Sequence, residues 1–152
     1  MSLKKIFGVD KAKEQGGIWV DVCDNDDGSQ CRIKVARMSM SNKKFAKETA
    51  KRNKKYRGRL DAIPIERQLR ENIELFVDTT MLGWENVVDY RQTTKPGDPL
   101  PKLPYNRENA VWLLNDLPSL FDLLTTEAAE LSNFQSENET EAKNLEPSSN
   151  TN

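Results

Sequence analysis

Side chains able to do chemistry are unevenly represented in this 152-residue sequence: 24 Asp and Glu, 23 Lys and Arg, two cysteines and no histidine. The missing imidazole removes the commonest general base, the usual nucleophilic triads and the commonest metal ligand together. Asp24, Asp26 and Asp27 lie close enough in sequence to raise the question of calcium. They lack the ligand spacing and closing Glu of a calcium loop, and Asn25-Asp-Asp-Gly-Ser reads better as a hairpin turn. Cys23 and Cys31 have no companions to complete a zinc site. Glycines are few, and none forms a phosphate-cradling loop after a strand. No carboxylate pair stands out by its spacing. The expectation is a protein with no enzymatic activity, cofactor or metal, working by binding.

The densest charge lies in residues 43–59, where Lys43, Lys44, Lys47, Lys51, Arg52, Lys54, Lys55, Arg57 and Arg59 could neutralise phosphates and Tyr56 could stack on a base. A nucleic-acid-binding or regulatory role through this segment is the alternative reading. Against it, the cations occupy nearly the whole helix circumference, and the remainder of the chain is acidic. Residues 1–60 carry 16 Lys and Arg against 7 Asp and Glu, whereas residues 61–152 carry 7 against 17. Such polarity can steer a partner, or let copies of the chain associate basic end to acidic end.

The elements that must position these residues follow from periodicity. Residues 1–15 form an N-terminal arm, and residues 16–135 a single α+β domain, mostly helical, with one antiparallel hairpin packed against about four helices. Residues 18–23 and 31–37 alternate with a period near two and predict the hairpin. Asp27-Gly28 as a two-residue type I′ turn sets Val22 opposite Ile33 and Val20 opposite Val35. In that register Cys31 shares a face with Ile33 and Val35, and Cys23 points the other way with Trp19, so the cysteines are not a disulfide pair. Ser41 or Asn42 caps a basic helix running to Tyr56. Ile65, Leu69, Ile73, Phe76, Val77 and Leu82 predict a long helix stopped by Gly83. A short strand or extended connection follows near Val87, then a proline-rich loop over residues 91–104. Asn106 caps a helix to about Asp116, and Pro118 opens a last helix with Leu120, Phe121, Leu124, Ala128, Leu131 and Phe134 on one face. Residues 136–152 read as a disordered polar and acidic tail.

No stretch approaches the roughly 18 apolar residues of a membrane helix. The first residues also lack the apolar core of a secretory signal. Two cysteines are too few for a secreted disulfide scaffold, which favours a cytoplasmic location without membrane contact.

The order of motifs in the second half is distinctive. Leu82-Gly-Trp-Glu-Asn-Val precedes the proline-rich loop. Leu103-Pro-Tyr-Asn-Arg-Glu-Asn-Ala, Leu113-Leu114, Leu117-Pro-Ser-Leu-Phe-Asp and Ala128-Ala-Glu-Leu-Ser-Asn-Phe follow it. This order, with the hairpin ending Ile33-Lys-Val-Ala-Arg and the basic helix after it, resembles the tail assembly chaperones of long, non-contractile-tailed bacteriophages and related prophages. The resemblance covers most of residues 16–135. It implies a small protein of the host cytoplasm, not expected in the mature virion, that binds the tape measure protein. Such a chaperone keeps the tape soluble until tail tube subunits polymerise around it. It further implies contact with the tail tube protein, a longer frameshifted form of itself and homo-oligomers as possible partners. Tape measure proteins are largely helical, so the expected mode is an amphipathic helix laid in a groove. The candidate contacts are Trp112, Leu113, Leu117, Leu120, Phe121, Leu124, Leu131 and Phe134, each of which a helical core would claim equally well.

Overall fold

A computed structural model describes residues 2–136. The expected tail over residues 136–152 therefore falls, beyond Ser136, outside the described residues. The architecture is α+β and mostly helical, as the periodicity predicts. In chain order it comprises α1 (Leu3–Phe7), α2 (Lys11–Gly16), β1 (Ile18–Asp24), β2 (Gln30–Val35), α3 (Lys43–Tyr56), α4 (Ile65–Thr79), β3 (Met81–Glu85), α5 (Arg107–Asp116) and α6 (Pro118–Ala129). Short 3₁₀ turns occupy Leu60–Ala62 and Leu131–Phe134.

The strands form one antiparallel sheet in the order β1-β2-β3. The hairpin is present, but its register differs from expectation: Val20 faces Ile33 and Ile18 faces Val35. The turn explains the difference. Asn25 N–H donates to the Ser29 carbonyl at 2.8 Å and Gly28 N–H to the Asn25 carbonyl at 2.9 Å, leaving a three-residue loop. Only Gly28 then takes positive φ, at 83°. A two-residue type I′ turn would demand that conformation of Asp27 as well, which a side chain resists. Asp27 instead accepts the Ser29 N–H at 2.9 Å and also its hydroxyl.

A bulge between Asp21 and Cys23 absorbs the mismatch, and it sets Cys23 directly across from Cys31. The expectation that the cysteines point apart is thus corrected. They are cross-strand neighbours, both free thiols, Cys23 exposed and Cys31 buried. The inward face of β2 is as expected, with Cys31, Ile33 and Val35 in the core.

The helix expected to run through Leu82 stops at Thr79, and a third strand takes its place, nearer than Val87. Thr79 Oγ1 donates to the Leu75 carbonyl at 2.6 Å, and Thr80 N–H to the Phe76 carbonyl at 2.8 Å, which satisfies the last turn. Beyond it, Met81, Gly83, Trp84 and Glu85 gain partners on β2. Cross-strand pairing outweighs the helical spacing of Leu82. Leu82 faces outward and lies over Gly17, where φ is 86° and a Cβ would fall 2.6 Å from Leu82 Cδ1 and 2.9 Å from the Val35 carbonyl. The glycine is what lets α2 turn directly into the sheet.

Helix α4 is the central element. Its buried residues Ile73, Phe76, Val77 and Thr79 meet the sheet and α6, with Phe76 edge-on to Phe121 at 5.5 Å between ring centres. Helix α5 lies antiparallel beside it: Arg107 at its start pairs with Asp78 at 2.7 Å, and Asn115 at its end lies near Arg67 and Arg70. Asn106 caps α5 as expected, accepting the Asn109 N–H at 2.8 Å. Pro118 opens α6, which ends at Ala129 rather than continuing to Phe134. Of the described part of the N-terminal arm, α1 and the turn after it are held by Gln135. Its side-chain amide donates to the carbonyls of Ile6 and Gly8 at 2.9 and 3.0 Å.

Candidate protein-binding groove

The eight apolar residues of the carboxy-terminal helices divide by burial. Leu113, Phe121, Leu124 and Phe134 are core residues, and Leu124 and Phe134 have no accessible surface. For Leu113, Leu124 and Phe134 the expected role as contacts gives way to packing, because a partner could reach them only by opening the domain, whereas Phe121, 9% exposed, also lines the groove described below. Leu120 and Leu131 are half-buried, and Leu117 is 38% exposed.

Trp112 is half-buried under Tyr90 and Arg91, which lie where the expected strand or extended connection meets the proline-rich loop. Arg91 lies 3.9 Å from the centre of its ring, and Tyr90 stacks at a tilt with 5.3 Å between centroids. Arg91 also makes a two-point contact with buried Asp89, at 2.9 and 3.1 Å. Hydrogen bonds from Arg91 hold the Asp89 carboxyl down at about 2. The Tyr90 hydroxyl donates to Asp116, and burial together with that carboxylate pushes the phenol well above its usual range. This cluster ties the start of the proline-rich loop to α5, so Trp112 is largely spoken for.

The basic helix α3 is also less uniform than its sequence. Arg52 turns inward and pairs with Glu48 at 3.0 Å, Glu71 at 3.3 Å and Asp78 at 3.9 Å. The Tyr56 hydroxyl donates to Glu71 at 2.7 Å, and its ring is flanked by Lys55 and Arg67. Both side chains therefore belong to the seam between α3 and α4, and Tyr56 is not free to stack on a base. Lys43, Lys44, Lys47, Lys54, Lys55, Arg57 and Arg59 remain exposed.

Between α3 and α6, laid along α4, runs an apolar groove of about 270 Å³. Its floor is Asn72, Leu75 and Phe76 of α4, with Phe45 of α3 on one wall, Phe121 and Thr125 of α6 on the other, and Met38 at one end. Ile65, Leu69, Asn72 and Phe76 recur at four-, three- and four-residue steps, so they share one face of α4. Along that face Phe76 is buried, Leu69 is 36% exposed and Ile65 is 79% exposed. The apolar stripe of α4 thus leaves the core and continues as open surface past the groove. Nothing in the sequence distinguished Ile65 and Leu69 from Ile73, because all four-step positions carry the same signal.

The arrangement can hold an apolar helical edge or an extended apolar segment. It offers no chemistry: the groove is lined by carbon-rich side chains and two neutral polar ones, Asn72 and Thr125. Among the described residues no cluster of three or more Cys, Asp or Glu side chains is placed to hold a metal. Among the described residues, too, no helix is long and apolar enough to cross a membrane.

No curated protein and no solved structure matches the chain. A family model described as YdaY prophage protein matches residues 37–144, a span that takes in β3, helices α3 to α6 and the whole groove while leaving out the arm and the hairpin. That match covers more than two thirds of the sequence, and the chain belongs to the YdaY prophage protein family.

Proposed function

We propose that this prophage protein is a tail assembly chaperone, without enzymatic activity, that binds the tape measure protein and keeps it soluble until tail tube subunits polymerise around it. It acts in the host cytoplasm and does not stay in the mature virion. The observation that carries the reading is the apolar face of α4, which emerges from the core at Leu69 and Ile65 beside a groove open to solvent. An exposed apolar strip on a small charged protein is a mark of a binding surface. A groove between two helices suits the amphipathic segments of a helical partner. Prophage origin and the order of the motifs from Leu82 to Phe134 support the same reading.

The test is co-expression with a tape measure protein from the same prophage. The full chain should raise the soluble fraction of the tape, and Ile65→Asp with Leu69→Asp should abolish that gain while leaving the chain folded. A second reading, nucleic-acid binding, draws on the exposed cations of α3. A tape measure no more soluble with the chain than without it, together with DNA binding that weakens steeply with salt, would replace the first reading by the second.

A further inference from the structure

The two thiols of the chain meet at one place in the fold. Cys23 on β1 and Cys31 on β2 are direct partners across the antiparallel hairpin. The bulge between Asp21 and Cys23 is what brings them together. Asp21 pairs with Arg32, so an unbroken ladder would set Val22 across from Cys31 and leave Cys23 facing Gln30. The extra residue moves Cys23 one position along, onto the face that Cys31 already occupies. Antiparallel partners hold their Cα atoms about 4.5 to 5.5 Å apart, inside the roughly 4.4 to 6.8 Å that a disulfide spans. The reduced fold therefore already has the backbone geometry that a bond between them needs.

The two cysteines differ in access. Strand β1 is an edge strand and Cys23 is exposed, whereas Cys31 is 7% exposed and packs in the core with Ile33 and Val35. Burial, with Cys23 beside it, holds the proton on Cys31. Lys102 works the other way and favours the Cys31 thiolate. It is anchored at the hairpin turn by Asp27 at 3.1 Å and Ser29 at 2.8 Å. An exposed thiol that reagents reach first, backed by a buried one that they do not, is the arrangement of an attacking and a resolving cysteine.

We propose that Cys23 and Cys31 are a redox pair that closes to a cross-strand disulfide on meeting a small-molecule disulfide such as oxidised glutathione, and reopens under excess thiol. Cys23 attacks one glutathione sulfur as the thiolate, and the first glutathione thiolate departs, leaving a mixed disulfide on Cys23. Cys31 then gives its proton to solvent and attacks the Cys23 sulfur, expelling the second glutathione. Two protons and two electrons pass from the chain to the oxidant, which ends as two thiols. In the reverse direction a thiolate reaches only the Cys23 sulfur, so Cys31 must leave as a buried thiolate, and reopening is slow. The closed bond ties the edge strand to the core strand beside the hairpin tip. Asn25 Nδ2 donates there to the Asn86 carbonyl at 2.8 Å and Asn86 Nδ2 to the Gln30 carbonyl at 2.9 Å, so oxidation stiffens a corner that already joins β3 to the hairpin.

The test equilibrates the full chain, dilute and folded, in glutathione redox buffer, quenches it in acid and weighs it by mass spectrometry. The native chain should lose the mass of two hydrogen atoms, keep no glutathione and resist alkylation at both sulfurs. Cys31→Ser should stop with one glutathione on Cys23, and Cys23→Ser should stay unmodified while folded. The two cysteines are near in sequence, so an unfolded chain can also close the ring. The contribution of the fold is read separately: at a fixed glutathione ratio, the ratio of disulfide to dithiol should be on the order of tenfold or more higher in the folded chain than in urea. Equal ratios in the two states, a stable glutathione adduct on the native chain, disulfide-linked dimers, or two free thiols in oxidised glutathione alone would overturn the proposal. No step involves the groove or a client, so the outcome is separate from that of the tape measure test.

Discussion

The division of the carboxy-terminal leucines into core and surface leads to a quantitative expectation for Leu124→Ala against Leu117→Ala. Leu124 has no accessible surface and packs with Phe121, Ala128 and the residues of α4 and α5 in one cluster. Truncation to alanine removes three carbon groups, about 2.4 kcal/mol of transfer free energy at roughly 0.8 per group. The cavity left between rigid helices adds to that, for a total of about 3 to 4 kcal/mol. Leu117 is 38% exposed. It therefore loses only about 1 to 1.5 kcal/mol, without a cavity term. Urea unfolding followed by tryptophan fluorescence reads the difference, since Trp84 and Trp112 are both half-buried. At an m-value of about 2 kcal/mol/M, the Leu124→Ala midpoint should fall by about 1.5 to 2 M and the Leu117→Ala midpoint by about 0.5 to 0.7 M. Equal shifts would refute the burial argument. So would a Leu124→Ala protein of unchanged stability that has lost tape measure binding, because Leu124 would then be a contact rather than packing.

Two further expectations concern titrating groups. Burial, with Cys23 alongside, pushes the Cys31 thiol up to about 11. At pH 8 only about one Cys31 in a thousand is then a thiolate, so a soluble alkylating reagent followed by mass spectrometry should modify exposed Cys23 first and Cys31 only on unfolding. Asp27 and Asp89 both lie at about 2, the first through hydrogen bonds from Ser29 and the second through those from Arg91. A carboxylate lowered in the folded state contributes stability that is present above its ordinary value near 4 and is lost as pH falls toward 2. Carboxyl chemical shifts should show both groups ionised at pH 3, and Asp89→Asn should flatten the loss of stability between pH 4 and 2.

Much of the fold was legible because it is written in short-range chemistry. Asn42 and Asn106 cap the helices they were expected to cap, since an Asn side chain before a helix satisfies backbone donors two or three residues on. Pro118 opens α6 because a missing N–H costs nothing in a first turn. The alternation of Cys31, Ile33 and Val35 likewise identified the inward face of β2. The predicted site was less legible. Of the eight apolar residues expected at the partner surface, four are core. Ile65 and Leu69, which form the open strip, entered only as part of the spacing that predicts α4.

The physical reason is that periodicity reports which face of an element is apolar and not what covers it. Composition alone excluded imidazole chemistry, and local pattern alone determined class, helix starts and the break between α5 and α6. Tertiary structure decided the rest. The three-residue turn at Asp26–Gly28 and the bulge after Asp21 set the register and brought Cys23 opposite Cys31. Pairing with β2 ended α4 at Thr79 and drew Met81 and Leu82, expected in the helix, into a strand with Gly83, Trp84 and Glu85. The placement of α3 and α6 on α4 left Leu69 and Ile65 uncovered while Ile73 and Phe76, on the same stripe, were buried.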